Sequence, residues 1–363
     1  MSIGPAPIQN GLIAGEGPVS GRITTLAFDP TDPTIVYIGA ADGGVWQSTD
    51  AGATWTPLTD AQCSLAMGSL AVDPVTPTII YAGTGEKNSS GDSYSGCGLL
   101  QSSDGGTTWT QTGADIFGGR HISKVLVDPL TAGTTTSTTI YVASDAGLYS
   151  SFDSGVTFNQ MLPDVVNDLV IDPSNPSTLY AGTLFAQVFK SVDGGATWVQ
   201  VGLPAAGGRI SLAIAPAAPL TLFAALNAGS LRLFKTTDGG DSWIELFGPS
   251  CGTQCFYDLV VAVDPNNPDT VYFGGIDLFM STDGGGSWLD ITTGIDGQGI
   301  HVDQHALGFD ILGQLYVGND GGVWRTPDAG AHWTNLNTTQ AITQFYPGVS
   351  LHPTDPNVAL GGT

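Results

Sequence analysis

His301, Asp303 and His305 stand two residues apart in His301-Val-Asp-Gln-His305. On a β-strand alternate side chains share a face, so two imidazoles and a carboxylate would meet there. That donor set suits a divalent metal ion. The same residues also serve as hydrogen-bonded lining, with His305 satisfied by a neighbouring element, or as an acid–base group. A second set of candidates is carboxylic: Asp42, Glu86, Asp145, Asp277 and Asp320, each in a turn between two short strands. Gathered on one face, such acids could chelate a cation or, in pairs, cleave a glycosidic bond, with Asp42 and Asp320 the best pair. Asp-Gly is also simply a favourable hairpin turn. Glu86 differs because it opens a Gly/Ser-rich insertion, Lys87-Asn-Ser-Ser-Gly-Asp-Ser-Tyr-Ser-Gly96, which reads as a binding loop with Tyr94 available for stacking. Tyr257, Phe345 and Tyr346 are further stacking candidates; Trp46 and Trp324 are better explained by packing between repeats. Arg22, Arg120 and Arg209 precede inner strands and could clamp a substrate carboxylate. Counted back from the strand-ending Asp or its equivalent Ala215, they sit seven, eight and six residues away, so they should not face one channel alike.

The elements that must position these groups are announced by seven copies of Ser/Thr-x-Asp-x-Gly-x-x-Trp/Phe, with aspartates at 50, 104, 153, 193, 238, 283 and 328. A strand-rich repeat of about 40–50 residues is the pattern of an all-β propeller of four-stranded antiparallel blades. The Asp accepts backbone N–H groups in a tight turn, the Gly supplies φ > 0, and the aromatic ring buries beneath the turn as the next strand begins. These aspartates are therefore read as structural clips.

One repeat runs from Arg22 to Asp60: inner strand Arg22–Phe28, second strand Ile35–Ala40, a turn at Asp42-Gly-Gly44, third strand Val45–Ser48, then the clip and an outer strand from Trp55. Inner-strand endings such as Phe28-Asp-Pro30 and Val72-Asp-Pro74 recur eight times, the last at Leu351-His-Pro353. Eight blades in a single domain over 1–363 are the expectation. The units are about 20–60, 61–113, 114–162, 163–202, 203–247, 248–293, 294–338, and 339–363 completed by 1–19. Ile3 to Ile13 would supply the missing outer strand and join the chain ends, removing free edges. Seven blades with a trailing C-terminal segment is the alternative.

Composition narrows the partners. Nine Lys and Arg against 33 Asp and Glu give a formal net charge of −24, which disfavours nucleic acid and anionic membranes. No apolar run is long enough to span a bilayer. Four cysteines suggest Cys63–Cys97 and Cys251–Cys255 disulfides and an oxidising compartment, with four buried thiols the alternative. Met1 to Ile13 lacks a basic start and apolar core, so an exported protein would be present here in mature form. No motif requires a cofactor; calcium or zinc is the cation the candidate sites would take. Oligomeric state is not legible.

The clips resemble Asp-box (BNR) repeats of sialidases, of the xyloglucan-cleaving propellers of glycoside hydrolase family 74, of sortilin-type receptor domains and of photosystem assembly factors. Ser20-Gly-Arg-Ile23, Gly83-Thr-Gly-Glu86, His301 to Leu307, Gly318-Asn-Asp-Gly-Gly-Val-Trp324 and Ile342-Thr-Gln-Phe-Tyr346 are similar to bacterial secreted sortilin-like/BNR proteins. The resemblance implies the fold and leaves enzyme, receptor and scaffold open. Ala41-Asp-Gly-Gly-Val-Trp46 resembles the catalytic-base segment of family 74 but lacks the residue between its Asp and the two glycines, and that family places its second acid in a second propeller. Arg22-Ile-Thr lacks the Pro of the sialidase Arg-Ile-Pro motif, so sialidase activity is not expected. The leading expectation is a secreted or cell-surface propeller that binds a glycan or extracellular protein on its acidic face. A glycoside hydrolase using paired carboxylates is the alternative, and a structural subunit of a surface assembly the second.

Overall fold

The computed structural model describes residues 7–9, 11–12, 15–88, 90–185, 187–204, 207–343, 350–351 and 359–360. Seven four-stranded antiparallel sheets follow one another along the chain. Blade 1 holds β1 (Ile23–Phe28), β2 (Val36–Ala40), β3 (Val45–Ser48) and β4 (Thr56–Pro57). Blade 2 holds β5 (Met67–Val72), β6 (Ile80–Thr84), β7 (Leu99–Ser102) and β8 (Thr110–Thr112), and a short helix α1 (Ala114–Phe117) follows. Blade 3 holds β9 (Ile122–Val127), β10 (Ile140–Ser144), β11 (Gly147–Ser151) and β12 (Asn159–Leu162). Blade 4 holds β13 (Val166–Ile171), β14 (Leu179–Thr183), β15 (Val188–Ser191) and β16 (Val199–Val201). Blade 5 holds β17 (Ile210–Ile214), β18 (Leu222–Asn227), β19 (Leu231–Thr236) and β20 (Ile244–Leu246). Blade 6 holds β21 (Val260–Val263), β22 (Val271–Gly274), β23 (Leu278–Ser281) and β24 (Leu289–Asp290). Blade 7 holds β25 (Gln304–Phe309), β26 (Leu315–Asn319), β27 (Gly322–Thr326) and β28 (Thr334–Asn335).

The second strand of each blade is the packing element. β2, β6, β10, β14 and β26 are buried along their whole length, as expected of strands covered on both faces by neighbouring blades. Glycines in these strands let the next blade approach. A Cβ at Gly83 would meet Ile122 Cγ2 at 2.3 Å, and one at Gly318 would meet Ile23 Cγ2 at 2.7 Å. The second of these pairs joins blade 7 to blade 1.

That contact corrects the eight-blade expectation. Seven inner strands, each packed on the next, close the ring by setting β1 against β25 and β26. The eighth inner-strand ending begins in β29 (Ser350–Leu351), which among the described residues pairs with β30 (Ala359–Leu360) in a separate two-stranded sheet. Within the stretch Ile3 to Ile13, Ile8 pairs with Val19, and residues 3–6, 10 and 13 lie outside the described residues. The seam is sealed by chain from both ends instead. Asn335 Nδ2 donates to Glu16 O and Pro18 O, both at 2.7 Å, and Trp55 Nε1 donates to Leu336 O at 2.8 Å.

The clips have one geometry. In blade 4, Ser191 Oγ donates to Asp193 Oδ1 at 2.8 Å and accepts Gly195 N–H at 2.8 Å. Asp193 Oδ1 also accepts Thr197 N–H at 2.9 Å, while Oδ2 accepts the Thr197 hydroxyl at 2.6 Å. Gly195 sits at φ 86°. The Thr197 position, blank in the sequence pattern, is filled by Thr, Ser or His in all seven copies and closes the second carboxylate oxygen. Donors from Thr197 and Ser191 hold Asp193 down to about 2. Replacing Ser191, which is 1% exposed, by Ala strands the Gly195 N–H. Urea unfolding should show a loss of about 1–3 kcal/mol with an unchanged m-value.

Candidate functional site

In this strand order the turns between second and third strands open on the same face as the connections between blades, and the clips lie on the other. Arg22 immediately precedes β1, Asp42 sits in the β2–β3 turn and Asp320 in the β26–β27 turn. Glu86 to Gly96 is the insertion between β6 and β7, anchored by the expected Cys63–Cys97 disulfide. The expected Cys251–Cys255 disulfide closes the loop that delivers Tyr257 ahead of β21. His305 lies on β25 where the register with β26 shifts between Gln304 and Ala306; such a bulge re-aims a side chain.

These groups meet at the channel mouth. Arg22 bonds three carboxylates from three places in the chain: Glu86 at 2.9 Å through Nη1, Asp92 at 3.2 Å through Nη2 and Asp320 at 3.0 Å through Nε. Tyr257 donates its hydroxyl to Asp320, lying 2.8 Å from both oxygens, and His305 Nε2 meets Asp320 Oδ1 at 2.7 Å. The Tyr257 ring lies 5.0 Å beneath the Arg22 guanidinium and edge-on to His305 at 4.6 Å. Burial alone would raise Asp320, but His305 and Arg22 outweigh it and hold its carboxyl at about 2. Burial and then the Asp320 charge push the Tyr257 phenol up. Burial would lower Arg22, yet Glu86 and Asp320 keep it raised.

A second layer supports the first. Asn88 Nδ2 donates to Glu86 Oε1 at 3.2 Å, and Arg209 donates to Tyr257 O at 2.5 Å and to Asn88 Oδ1 at 3.2 Å. Beneath Asp320, the Asp258 and Asp303 carboxyls lie together, both raised first by burial; Asp258 is raised next by Asp303 and Asp303 by Asp320. Gln254 Nε2 donates to Asp303 Oδ1 at 2.9 Å.

The structure sorts the expected residues. Arg22, Glu86, Tyr257, His305 and Asp320 come together. Tyr257 is 8% exposed, with its ring enclosed by Arg22 and His305, so it is not an open stacking surface as expected. Tyr94 is 51% exposed on the insertion. Asp42 keeps solvent contact at the rim; partial burial and then the Glu86 charge raise its carboxyl. Asp145 pairs with His121 Nδ1 at 2.9 Å in blade 3, and Arg120 is exposed. Trp46 and Trp324 are buried between blades. Phe345 and Tyr346 lie outside the described residues.

The His301-Asp303-His305 arrangement differs from the strand expectation. β25 begins only at Gln304, and Asp303 has φ 63°, so the three do not alternate along one extended strand. His301 Nδ1 faces Val302 O, Asp303 takes Gln254, and His305 takes Asp320. Among the described residues no group of three His, Cys, Asp or Glu is set to hold a metal ion. Asp92, Asn88, Asp258 and the supporting role of Arg209 were not legible beforehand. The one available signal was the Asp inside the Gly/Ser insertion.

Fold and site together define a seven-bladed β-propeller with an arginine-bridged carboxylate cluster at its channel mouth. Similar proteins include xyloglucanases from Hypocrea jecorina (strain QM6a), 25% identical over 177 residues, and from a Paenibacillus species, 25% identical over 235 residues. The matches take in 46% and 52% of this chain, but only 19% and 21% of those relatives' lengths. No protein-family model matches. Among solved structures, an ancestral GH74 enzyme superposes with TM-score 0.69 at 18% identity, covering 92% of this chain and 48% of that one. YCF48 from Cyanidioschyzon merolae superposes with TM-score 0.59 at 15% identity, covering 84% and 95%. At these identities the superpositions speak for the fold.

Proposed function

We propose that the chain is a glycoside hydrolase-like propeller that engages a xyloglucan-type polysaccharide at the channel mouth. The sequence similarity to two xyloglucanases supports this alternative over a purely binding role. The observation that carries it is a pair of carboxyls on equivalent turns of adjoining blades, pushed in opposite directions: Asp42 upward, Asp320 down to about 2. Separated acidities are how two carboxylates divide acid and charge-stabilising work. Asp42, exposed and with its carboxyl raised by partial burial and the Glu86 charge, takes the proton-donor role. Asp320, held anionic by Arg22, Tyr257 and His305, faces developing positive charge.

Asp42→Asn should lower xyloglucan hydrolysis by roughly 100-fold or more with an unchanged melting temperature. Full activity in that variant removes Asp42 from the chemistry. A wild-type chain that binds xyloglucan without cleaving it moves the reading to glycan recognition. That second reading is favoured by exposed rings on this face: Tyr94 at 51%, Phe185 at 67% and Phe256 at 49%. The clips are taken as Asp-box repeats of the sortilin-like/BNR kind. Two disulfides support a secreted or cell-surface setting. On this reading the acidic face would take an extracellular protein or a calcium or zinc ion, and the net charge of −24 disfavours nucleic acid and anionic membranes. No helix among the described residues is long and apolar enough to cross a membrane.

A further inference from the structure

We infer that the central channel beneath the mouth is a binding site for one small oxyanion or carboxylate, held by Lys87, Lys124 and Arg209. The channel holds a cavity of about 110 Å³. The chain has only nine Lys and Arg and a net charge of −24, yet these three cations line that one cavity. They come from separate blades: Lys87 from the blade 2 insertion, Lys124 from β9 and Arg209 from the approach to β17. Arg22, Glu86 and Asp320 are not among the lining residues, so the cavity lies below the mouth and shares only Arg209 and His305 with it.

The counter-charge there is already committed. Asp168 is the carboxylate in the wall, and His305 is the other titratable group facing the cavity. Asp168 Oδ2 accepts Leu212 N–H at 2.9 Å and Ser211 Oγ–H at 3.2 Å, and Oδ1 accepts Leu169 N–H at 2.9 Å. It therefore ties blade 4 to blade 5, much as Ser69 Oγ ties blade 2 to blade 3 by accepting Val125 N–H at 2.9 Å. Asp168 pairs with Lys124 at 3.7 Å. Lys87 Nζ donates to Ser123 O at 3.0 Å, which uses one of the three donors of an ammonium. Asp258 and Glu86 also act on Arg209 from behind the wall, but within the lining Asp168 alone faces Lys87, Lys124 and Arg209, and a bound anion supplies further negative charge.

Burial, together with the charges of Lys124 and Arg209, outweighs Asp168 and brings Lys87 down to about 7. Near neutrality this side chain is part ammonium and part free amine. An anion beside it favours the ammonium, so binding takes up a proton from the buffer at pH 7.5.

The test is calorimetric titration of the full chain with sodium sulfate, sodium phosphate and sodium glucuronate at matched ionic strength. Two buffers of different ionisation enthalpy report the proton. The expected result is saturable one-to-one binding of at least one probe with net proton uptake. Lys87→Met should weaken it at least tenfold and abolish the uptake. Lys124→Gln, nearer the solvent, should weaken it as well and keeps the test open if Lys87→Met does not fold. Sulfate or phosphate binding without glucuronate identifies an inorganic-type oxyanion; glucuronate binding alone identifies a sugar acid. No saturable heat with any probe, or unaltered affinity in the variants, overturns the inference. Loss of xyloglucan activity or binding would leave it untouched.

Discussion

Replacing Asp258 by Asn should raise the melting temperature at pH 9 by about 5 °C and leave it nearly unchanged at pH 5. Asp258 is fully buried, its carboxyl has no ion-pair partner among the described residues, and the group beside it is another carboxyl, Asp303. Two such carboxyls cannot both ionise cheaply in a buried site. One shared proton converts the clash into a hydrogen bond; Asp258 is pushed up to about 8 and Asp303 is raised as well. Arg209 offsets this only in part. The folded chain thus holds this proton more tightly than the unfolded chain. The associated stability is fully present below the unfolded carboxylate pKa and drains away as pH climbs through the raised folded value. An amide at 258 cannot ionise and can donate to Asp303, so the alkaline loss disappears. Melting curves of the wild type and Asp258→Asn that stay parallel from pH 5 to pH 9 would show that Asp258 titrates like an exposed acid.

The periodic part of the molecule was readable, and the converging part was not. Ser/Thr, Asp and Gly of each clip act within about five residues of one another, so local spacing contained nearly all of their chemistry; only the Thr197-type position went unnoticed. Blade number is a different problem. The Leu351-His-Pro353 ending looks like the others, and nothing local says that Gly318 already receives Ile23 from the first blade. The mouth is harder again. Arg22 reaches Glu86 across 64 positions and Asp320 across 298. His305 is aimed by a bulge, and Asp303 by a left-handed backbone, so period-two reasoning about the His-Asp-His run could not succeed. Arginine phase said only that Arg22, Arg120 and Arg209 would not face the channel alike; it could not say that Arg22 and Arg209 are joined at two depths through Tyr257 and Asn88.

Arg22→Leu should cost about 3 kcal/mol at pH 7, at the low end for unpairing buried charges because Asp92 and Asp320 keep some solvent contact. The Arg22 side chain is 10% exposed and Glu86 is 0% exposed, against 15% for Asp92 and 25% for Asp320. Leucine fills much of the volume but leaves three carboxylates facing one another. Lysine is a poor substitute, since one ammonium cannot reproduce three directed guanidinium bonds; Arg22→Lys should fall between the two. The pH dependence separates this account from a simple packing defect. In the wild type Asp320 is held at about 2, so its stabilising contribution is whole above the unfolded carboxylate pKa and is lost as pH falls through the folded value. The variant lacks the guanidinium that contributes to this shift, and acid also discharges the three carboxylates that it bridged. Urea-derived stabilities of wild type and Arg22→Leu should therefore converge between about pH 4 and pH 2. A gap of the same size at pH 7 and pH 3 would mean that Arg22 acts through packing on Tyr257 and that the carboxylate bridge contributes little.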